Sequence, residues 1–289
     1  MQSTARGDPA PCLYLPGFPR SSSCVRSSAS GHPRKPHRQQ SGDQRGRGSN
    51  VGSLRALATL ARLGLKDPWT EALPLLLWER GQLEARVLGP TGWGLDSVAH
   101  AYSPLEVDLK ADLVDVAHGR RQDFAAAGEA VRGCVALCDE EVPAGERNPH
   151  RSERLAAAID QGAVGLLILS SAAGCITRTG VCHRGLAPIP SLSISREDGL
   201  RLRRLLAAGG RPQVRVLMRN RARQAEGRNV LAQLPGRDPA AGLVLAGAHL
   251  DSWDLAQGAA DNGLGSVIVL EITRVLSRLY HALPLERRP

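Results

Sequence analysis

The sequence predicts an α/β fold, on three observations. Short apolar segments, typical of buried strands, alternate with longer segments whose apolar residues recur at helical spacing. The alternation is clear over residues 133–218 and again over residues 242–279. The chain of 289 residues is also long enough for one large domain or two ordinary ones. Its elements follow in chain order.

Residues 1–51 are rich in Ser, Gly, Pro and Arg and show no hydrophobic periodicity, which predicts a disordered basic tail. Residues 1–50 carry +6 of the chain's +9 net charge. A basic arm could bind nucleic acid or a membrane surface, but this one lacks interleaved aromatic residues. We therefore expect no nucleic-acid partner.

Targeting signals are not evident in the sequence. Prolines at positions 9, 11, 16 and 19 interrupt the N-terminal region, where a secretory leader would need a continuous apolar core. No apolar run approaches the roughly twenty residues that a membrane span requires. The sequence as written therefore indicates a cytoplasmic protein with no membrane span.

The segment 52–107 begins with a helical stripe formed by Leu54, Leu57, Leu60 and Leu65. Residues 69–87 predict strands on either side of a turn at Arg80-Gly81. Residues 108–218 predict a separate unit of strands and helices. Its predicted strands are 133–137, 164–169, 189–194 and 214–218, and its predicted helices are 153–161 and 197–207.

Residues 245–265 place a histidine and several carboxylates between two apolar segments. Residues 243–246 predict a buried parallel strand, with His249 and Asp251 just beyond its C-terminal end. Two residues apart on an extended segment, these side chains point to the same side, so the carboxylate can reach the ring. Asp261 precedes a predicted amphipathic helix over residues 264–279. Ligands of open α/β sheets bind in the crevice where such groups converge.

The run His249-Leu250-Asp251-Ser252-Trp253-Asp254, followed by Gly258 and Asp261, resembles the first metal-binding segment of the co-catalytic zinc aminopeptidase and glutamate carboxypeptidase family, in its carboxypeptidase Q-like branch. The resemblance implies a partial zinc-exopeptidase sheet of the phosphorylase/hydrolase-like type, with helices. It implies two zincs per complete site. By it, His249 ligates one zinc, Asp261 bridges both, and Asp251 orients the ring. The alternative is a core histidine at a strand end and an Asp261 that only caps a helix.

Two further segments carry the resemblance. Trp69-Thr70-Glu71 and the run 78–81 are similar to a pattern that precedes an insertion in these relatives, and residues 133–137, 158–168 and 189–194 are similar to an inserted α+β protease-associated domain. We expect that domain to act as a lid or partner contact without metal ligands. The predicted domains are a tail at 1–51, peptidase segments at 52–107 and 225–289, and the protease-associated domain at 108–218.

The family's Glu-Glu pair, which supplies the general base and a ligand, and its later Asp and His have no counterpart before Pro289. Glu271, Glu286 and His281 lack the required context, so none is given the role. We expect a truncated member, whether a gene fragment, a frameshifted reading or a degenerate copy.

The function that the resemblance implies is a zinc-dependent exopeptidase, a dipeptidase or aminopeptidase, that hydrolyses peptide bonds by two-metal water activation and is incomplete in this chain. Its partners would be a peptide or dipeptide substrate and a second copy in a homodimer. A misassigned start would make it an exported protein. The alternatives are a non-catalytic protein-binding relative and an inactive fragment.

Cysteines and remaining histidines give weaker signals. Cys134 and Cys138 predict buried free thiols, whereas Cys175 and Cys182 could pair only in an oxidising compartment. His150 and His183 predict surface residues, because neither has a second ligand at metal spacing.

Overall fold

The computed structural model describes residues 43–284 and residue 286, so most of the predicted tail lies outside the described residues. The first helix begins at Asp43, inside the stretch predicted as tail. In chain order the elements are α1 (Asp43–Arg62), β1 (Lys66–Val87), β2 (Ser97–Ala99), β3 (Glu106–Asp115), α2 (Arg121–Ala127), β4 (Val135–Asp139), α3 (Arg151–Asp160), β5 (Gly165–Leu169), β6 (Ser191–Ile194), α4 (Arg196–Ala207), β7 (Gln213–Gln233) and α5 (Leu264–Ala282).

The strands form one mixed sheet in the order β1-β7-β3-β4-β5-β6-β2. Strands β3 to β6 run parallel to their neighbours, while β2 pairs with β6, and β7 pairs with β3 and β1, in antiparallel fashion. The helices α2 and α3 connect successive parallel strands, as a parallel pairing requires. The α/β prediction is therefore confirmed.

The sheet separates two apolar clusters, because successive strand residues point to opposite faces. In β4, Val135 and Leu137 join the cluster that includes Leu202 of α4, whereas Ala136 and Cys138 join the one that includes Phe124 of α2 and Leu155 of α3. All these side chains are buried. Helices thus cover both faces of the parallel strands.

The predicted turn at Arg80-Gly81 is wrong, because β1 continues through it as one strand beside β7. A register shift between Glu79 and Gln82 marks a β-bulge instead. The Gly81 N–H donates to Oδ1 of Asn220 at 3.1 Å, and a Cβ at Gly81 would lie 1.6 Å from the Arg219 carbonyl oxygen. Glycine therefore permits close approach of two strands here rather than a chain reversal.

The predicted buried strand at residues 243–246 is also wrong. These residues adopt no regular structure, and Val244 is 96% exposed. An apolar strand is stable only when neighbours pair with its backbone and cover its side chains. Within the described residues no strand lies beside this segment, so its apolar sequence alone does not impose a strand.

The cysteines within residues 108–218, the middle unit, are embedded in the packing of that unit. Cys138 and Cys182 are buried free thiols, and Cys134 is partly buried. Burial raises the pKa of Cys138 to about 12 and that of Cys182 to about 11, so both remain protonated at neutral pH. Among the described residues, no helix combines the length and apolar character needed to cross a membrane.

Candidate metal centre

The candidate site lies between the end of β7 and the start of α5. Residues 242–253 form an irregular loop. A turn that is non-helical at Asp261 and Asn262 covers Ala259–Gly263, and α5 follows at Leu264. Gly258 adopts φ 69°, and a Cβ there would lie 2.5 Å from Oγ of Ser252. A residue with a side chain would be strained at this position, so the glycine allows the loop to turn sharply into the helix. That turn brings Asp261 back towards His249.

The imidazole of His249 lies between two carboxylates. Its Nδ1 is 3.0 Å from Oδ1 of Asp251, and its Nε2 is 3.2 Å from Oδ1 of Asp261. The Ser266 hydroxyl, in the first turn of α5, donates to the His249 carbonyl oxygen at 3.2 Å and ties the loop to the helix. The structure thus brings together all three residues that the sequence singled out.

Two alternatives for these residues are wrong. His249 is not a core histidine, because its side chain is 55% exposed. Asp261 is not the N-cap of α5, because the capping residue is Gly263 and Asp261 sits within the preceding turn in a non-helical conformation. Their proximity therefore has no explanation in core packing or helix capping.

Several effects act on the charge of the His249 ring. Partial loss of hydration lowers the pKa of His249, but hydrogen bonds to the side chain and backbone of Asp251, together with the negative charges of Asp251 and Asp261, raise it above its usual value. The two carboxylates thus favour positive charge on the ring.

The geometry fits two adjacent ligands of one zinc ion. Bond lengths of about 2.0–2.1 Å and a tetrahedral angle place such atoms about 3.3 Å apart. The Nε2 of His249 and Oδ1 of Asp261 are 3.2 Å apart, and Nδ1 faces a carboxylate, as is usual for a metal-binding histidine. Among the described residues, however, no group of three or more His, Cys, Asp or Glu side chains could hold a metal ion.

The three residues that received no role from the sequence have contacts elsewhere than the His249–Asp261 pair. Glu271 of α5 pairs with Arg274, which lowers the pKa of Glu271. His281 is near the C-terminal end of α5 and is exposed. The carbonyl oxygen of Glu286 accepts a hydrogen bond from Arg237 at 2.7 Å.

Sequence reasoning missed the residue that anchors the loop. Nε of Arg80 in β1 donates to Oδ2 of Asp254 at 3.1 Å, across 174 positions of sequence. Both residues lie in segments that carry the family resemblance, but nothing in either segment indicates a partner so far away along the chain. Only the fold, which returns the loop after β7 to β1, brings them together.

Comparisons with known proteins relate two segments of the chain to known families. Residues 229–287 match the family model for Peptidase family M28, and residues 109–202 match the PA domain. Carboxypeptidase Q from Bos taurus is 33% identical over 135 residues, covering 45% of this chain and 29% of that protein. Leucine aminopeptidase 2 from Trichophyton equinum is 30% identical over 206 residues, covering 70% of this chain and 38% of that protein.

Solved structures of peptidases are also similar to this chain. A Peptidase M28 precursor from Shewanella amazonensis superposes with a TM-score of 0.65 at 27% identity, over 83% of this chain and 56% of that one. A zinc aminopeptidase from Bacillus subtilis shares the fold, with a TM-score of 0.56 at 21% identity, over 79% of this chain and 52% of that one.

The chain therefore spans about half the length of these solved relatives and less than half of the two curated ones. The resemblance to a zinc-peptidase family with an inserted protease-associated domain is thus confirmed, because residues 229–287 match Peptidase family M28 and residues 109–202 match the PA domain.

Proposed function

We propose that this chain provides part of a zinc-dependent exopeptidase that acts on dipeptides or on the terminal residues of peptides. The observation that carries the proposal is the placement of the His249 ring between Asp251 and Asp261, at distances suited to one metal-binding and one orienting carboxylate. The M28 match, and relatives named carboxypeptidase Q and leucine aminopeptidase, support this class of reaction.

Each of the three residues has a distinct role in the proposal. His249 and Asp261 would hold zinc, and the Asp261 carboxylate would be shared with a second zinc. The Nδ1–H of His249 donates to Asp251, which fixes the tautomer and the direction of Nε2. Zinc, when bound, supplies a Lewis acid that polarises the peptide carbonyl and favours deprotonation of water.

A complete centre needs more ligands and a general base, which in this proposal come from polypeptide that packs against the same region. Residues 243–245 and one face of α5 both expose large apolar side chains, which supports such packing. The exposed α5 residues are Leu264, Val267, Ile268, Ile272, Val275, Leu276 and Leu279.

A second candidate is a non-catalytic protein that binds a partner through its PA domain. It is favoured by the contrast between the two well-packed apolar clusters of residues 85–218 and the exposed candidate site. In that case the Asp251–His249–Asp261 arrangement would be a relic, and its loss would leave partner binding unchanged.

A chimera separates the two candidates. Residues 52–279 are fused to the downstream half of a related M28 peptidase, and hydrolysis of dipeptides and aminoacyl substrates is assayed with zinc. The enzyme proposal predicts hydrolysis that a chelator removes. Asp261→Asn should abolish it, because the amide cannot bridge two metals as a carboxylate does. Glu271→Gln, on the neighbouring helix, is the matched control and should retain it.

A folded chimera with no zinc-dependent hydrolysis would contradict the enzyme proposal. Activity indifferent to Asp261→Asn would contradict the role given to that residue.

A further inference from the structure

The side chain of Arg80 joins three separate segments of the chain. Nε and one terminal nitrogen donate to both oxygens of Asp254, at 3.1 and 3.3 Å. The same terminal nitrogen donates to Oγ1 of Thr179 at 2.8 Å, and the other donates to the carbonyl oxygen of Ala99. Arg80 thus connects the loop that contains His249 to the sheet edge and to a loop of the PA domain.

This ion pair is largely shielded from water. The Arg80 and Asp254 side chains are only 11% and 13% exposed, and the guanidinium lies 5.3 Å from the ring centre of Trp78. By contrast, Arg86 and Glu84 of the same strand form an ion pair at 3.8 Å with both side chains about half exposed. Shielded, two-pronged contacts to a carboxylate restrain a loop far more than exposed single contacts do.

The backbone that presents Arg80 is itself held in place. Arg80 lies at the β-bulge of β1, where the Asn220 side chain accepts from Gly81 N–H and donates to the Pro104 carbonyl oxygen at 2.8 Å. Asn220 is buried, so these contacts compete little with water. The guanidinium is therefore presented from a fixed point of the sheet.

Asp254 lies between the two proposed ligands in sequence, five residues after His249 and seven before Asp261. The surrounding loop, residues 242–258, has no regular structure and is mostly exposed. A restraint at Asp254 consequently limits the positions available to residues on both sides of it.

We propose that Arg80 is a positioning residue that clamps the His249–Asp261 loop to the PA domain through Asp254. The clamp holds the loop close to the conformation in which Nε2 of His249 and Oδ1 of Asp261 can share a metal. Its effect on metal binding rests on the proposed function, whereas its effect on loop order does not.

The test uses the full chain with Arg80→Gln, Arg80→Lys, Asp254→Asn and the double variant Arg80→Gln/Asp254→Asn. Arg86→Gln is the matched control on the same strand. Amide hydrogen exchange is measured at Ala256 of the loop, whose N–H donates to the Trp253 carbonyl oxygen at 3.0 Å. Zinc affinity is measured by titration with the metal alone.

Arg80→Gln and Asp254→Asn should each speed exchange in the loop by about tenfold or more, the scale of a hydrogen-bonded charged contact. They should also weaken zinc binding by about 10-fold, typical of residues that orient a ligand. The double variant should resemble the single ones, because both remove the same contact. Arg80→Lys should retain only part of the restraint on the loop, since an ammonium cannot make the paired hydrogen bonds of a guanidinium to a carboxylate.

Unchanged exchange in Asp254→Asn would overturn the clamp, and so would effects that add in the double variant or that appear equally in Arg86→Gln. Asp254→Asn lies in an exposed loop, so it stays informative if Arg80→Gln fails to fold. Failure of the unaltered chain to bind zinc would instead overturn the proposed function and the effect of the clamp on metal binding. The hydrogen-exchange rates would still test whether Arg80 restrains the loop.

Discussion

Nε2 of His249 lies 3.2 Å from Oδ1 of Asp261, although the two residues belong to different elements. The loop supplies the ring and the turn before α5 supplies the carboxylate, with Gly258 allowing the chain to turn between them. On the other side of the ring, Nδ1 contacts Asp251. Changes to the two carboxylates should therefore have different effects on metal binding.

Asp251→Asn should weaken zinc binding by about 10- to 100-fold without abolishing it, because the amide loosens the ring while leaving Nε2 in place. Isothermal titration of the chain with zinc measures the change. Glu71→Gln, which alters an exposed carboxylate on β1, is the control. An affinity unchanged by Asp251→Asn would show that Asp251 does not orient the ring.

Buried His100 should make the free energy of unfolding depend on pH. Burial lowers the pKa of His100 to about 3, aided by the positive charges of Arg151 and Arg80, and Nδ1 lies 2.9 Å from Oγ of Ser191. Below about pH 6.5, His100 is therefore protonated in the unfolded chain but stays neutral in the folded chain. The contribution of neutral His100 to the free energy of unfolding is therefore fully present above about pH 6.5 and is lost as the pH falls towards 3.

Urea unfolding between pH 7.5 and 4.5 measures this effect. Well below pH 6.5 the slope from His100 alone should approach about 1.4 kcal/mol per pH unit. His100→Asn, which can still hydrogen-bond Ser191, should flatten the curve, whereas His281→Asn, at an exposed site, should not. A pH profile unaltered by His100→Asn would contradict the prediction.

Arg154 is a buried cation whose partners are neutral oxygens. It donates to the His118 and Glu140 carbonyl oxygens at 2.9 and 3.0 Å, to the Pro149 carbonyl oxygen, and to Oδ1 of Asn148 at 2.7 Å. Arg154→Met would leave several buried acceptors without donors, each costing about 1–3 kcal/mol. We expect a loss of at least about 3 kcal/mol in the free energy of unfolding.

The control for this prediction is Arg121→Met, which removes an exposed ion pair with Asp160. It should change the free energy of unfolding by less than about 1 kcal/mol. Denaturant titration compares the two variants. Similar losses for both would show that Arg154 does not fasten the surrounding loops.

Limited proteolysis should leave a resistant core from the middle of the chain. Both apolar clusters lie within residues 85–218, whereas residues 243–245 are exposed and lack regular structure. A protease that cuts beside large apolar residues should cleave near Val244 first, because local opening there costs little. Mass spectrometry identifies the fragments. A resistant piece spanning residues 225–289 would contradict this expectation.

Local sequence patterns predicted the elements that their own residues stabilise. The strand near residues 164–169 and the helices near 153–161 and 197–207 appear as β5, α3 and α4, because periodicity directly marks which side chains are buried. The helix after Asp261 appears as α5. Elements that depend on distant partners were not predictable in the same way.

The two incorrect predictions, the turn at Gly81 and the strand at Val244, both concern segments whose structure depends on distant strands. Pairing with β7 makes β1 continuous through Gly81, and the segment at Val244 has no neighbouring strand, although its composition is typical of one. The contact between His249 and Asp251 agrees with their two-residue spacing, while the clamp between Arg80 and Asp254 depends on the fold. The ligand roles of His249 and Asp261 and the predicted domain boundaries remain predictions.

Zinc titration of the full chain, followed by the nitrogen resonances of the His249 ring, tests the central claim most directly. His249→Gln assigns the signals, and the weak affinity expected for a centre with two protein ligands suits this method. We expect that zinc shifts the Nε2 resonance, that Nδ1 keeps its proton, and that Asp261→Asn weakens zinc binding. A His249 ring that does not respond to zinc, or a response indifferent to Asp261→Asn, would contradict it.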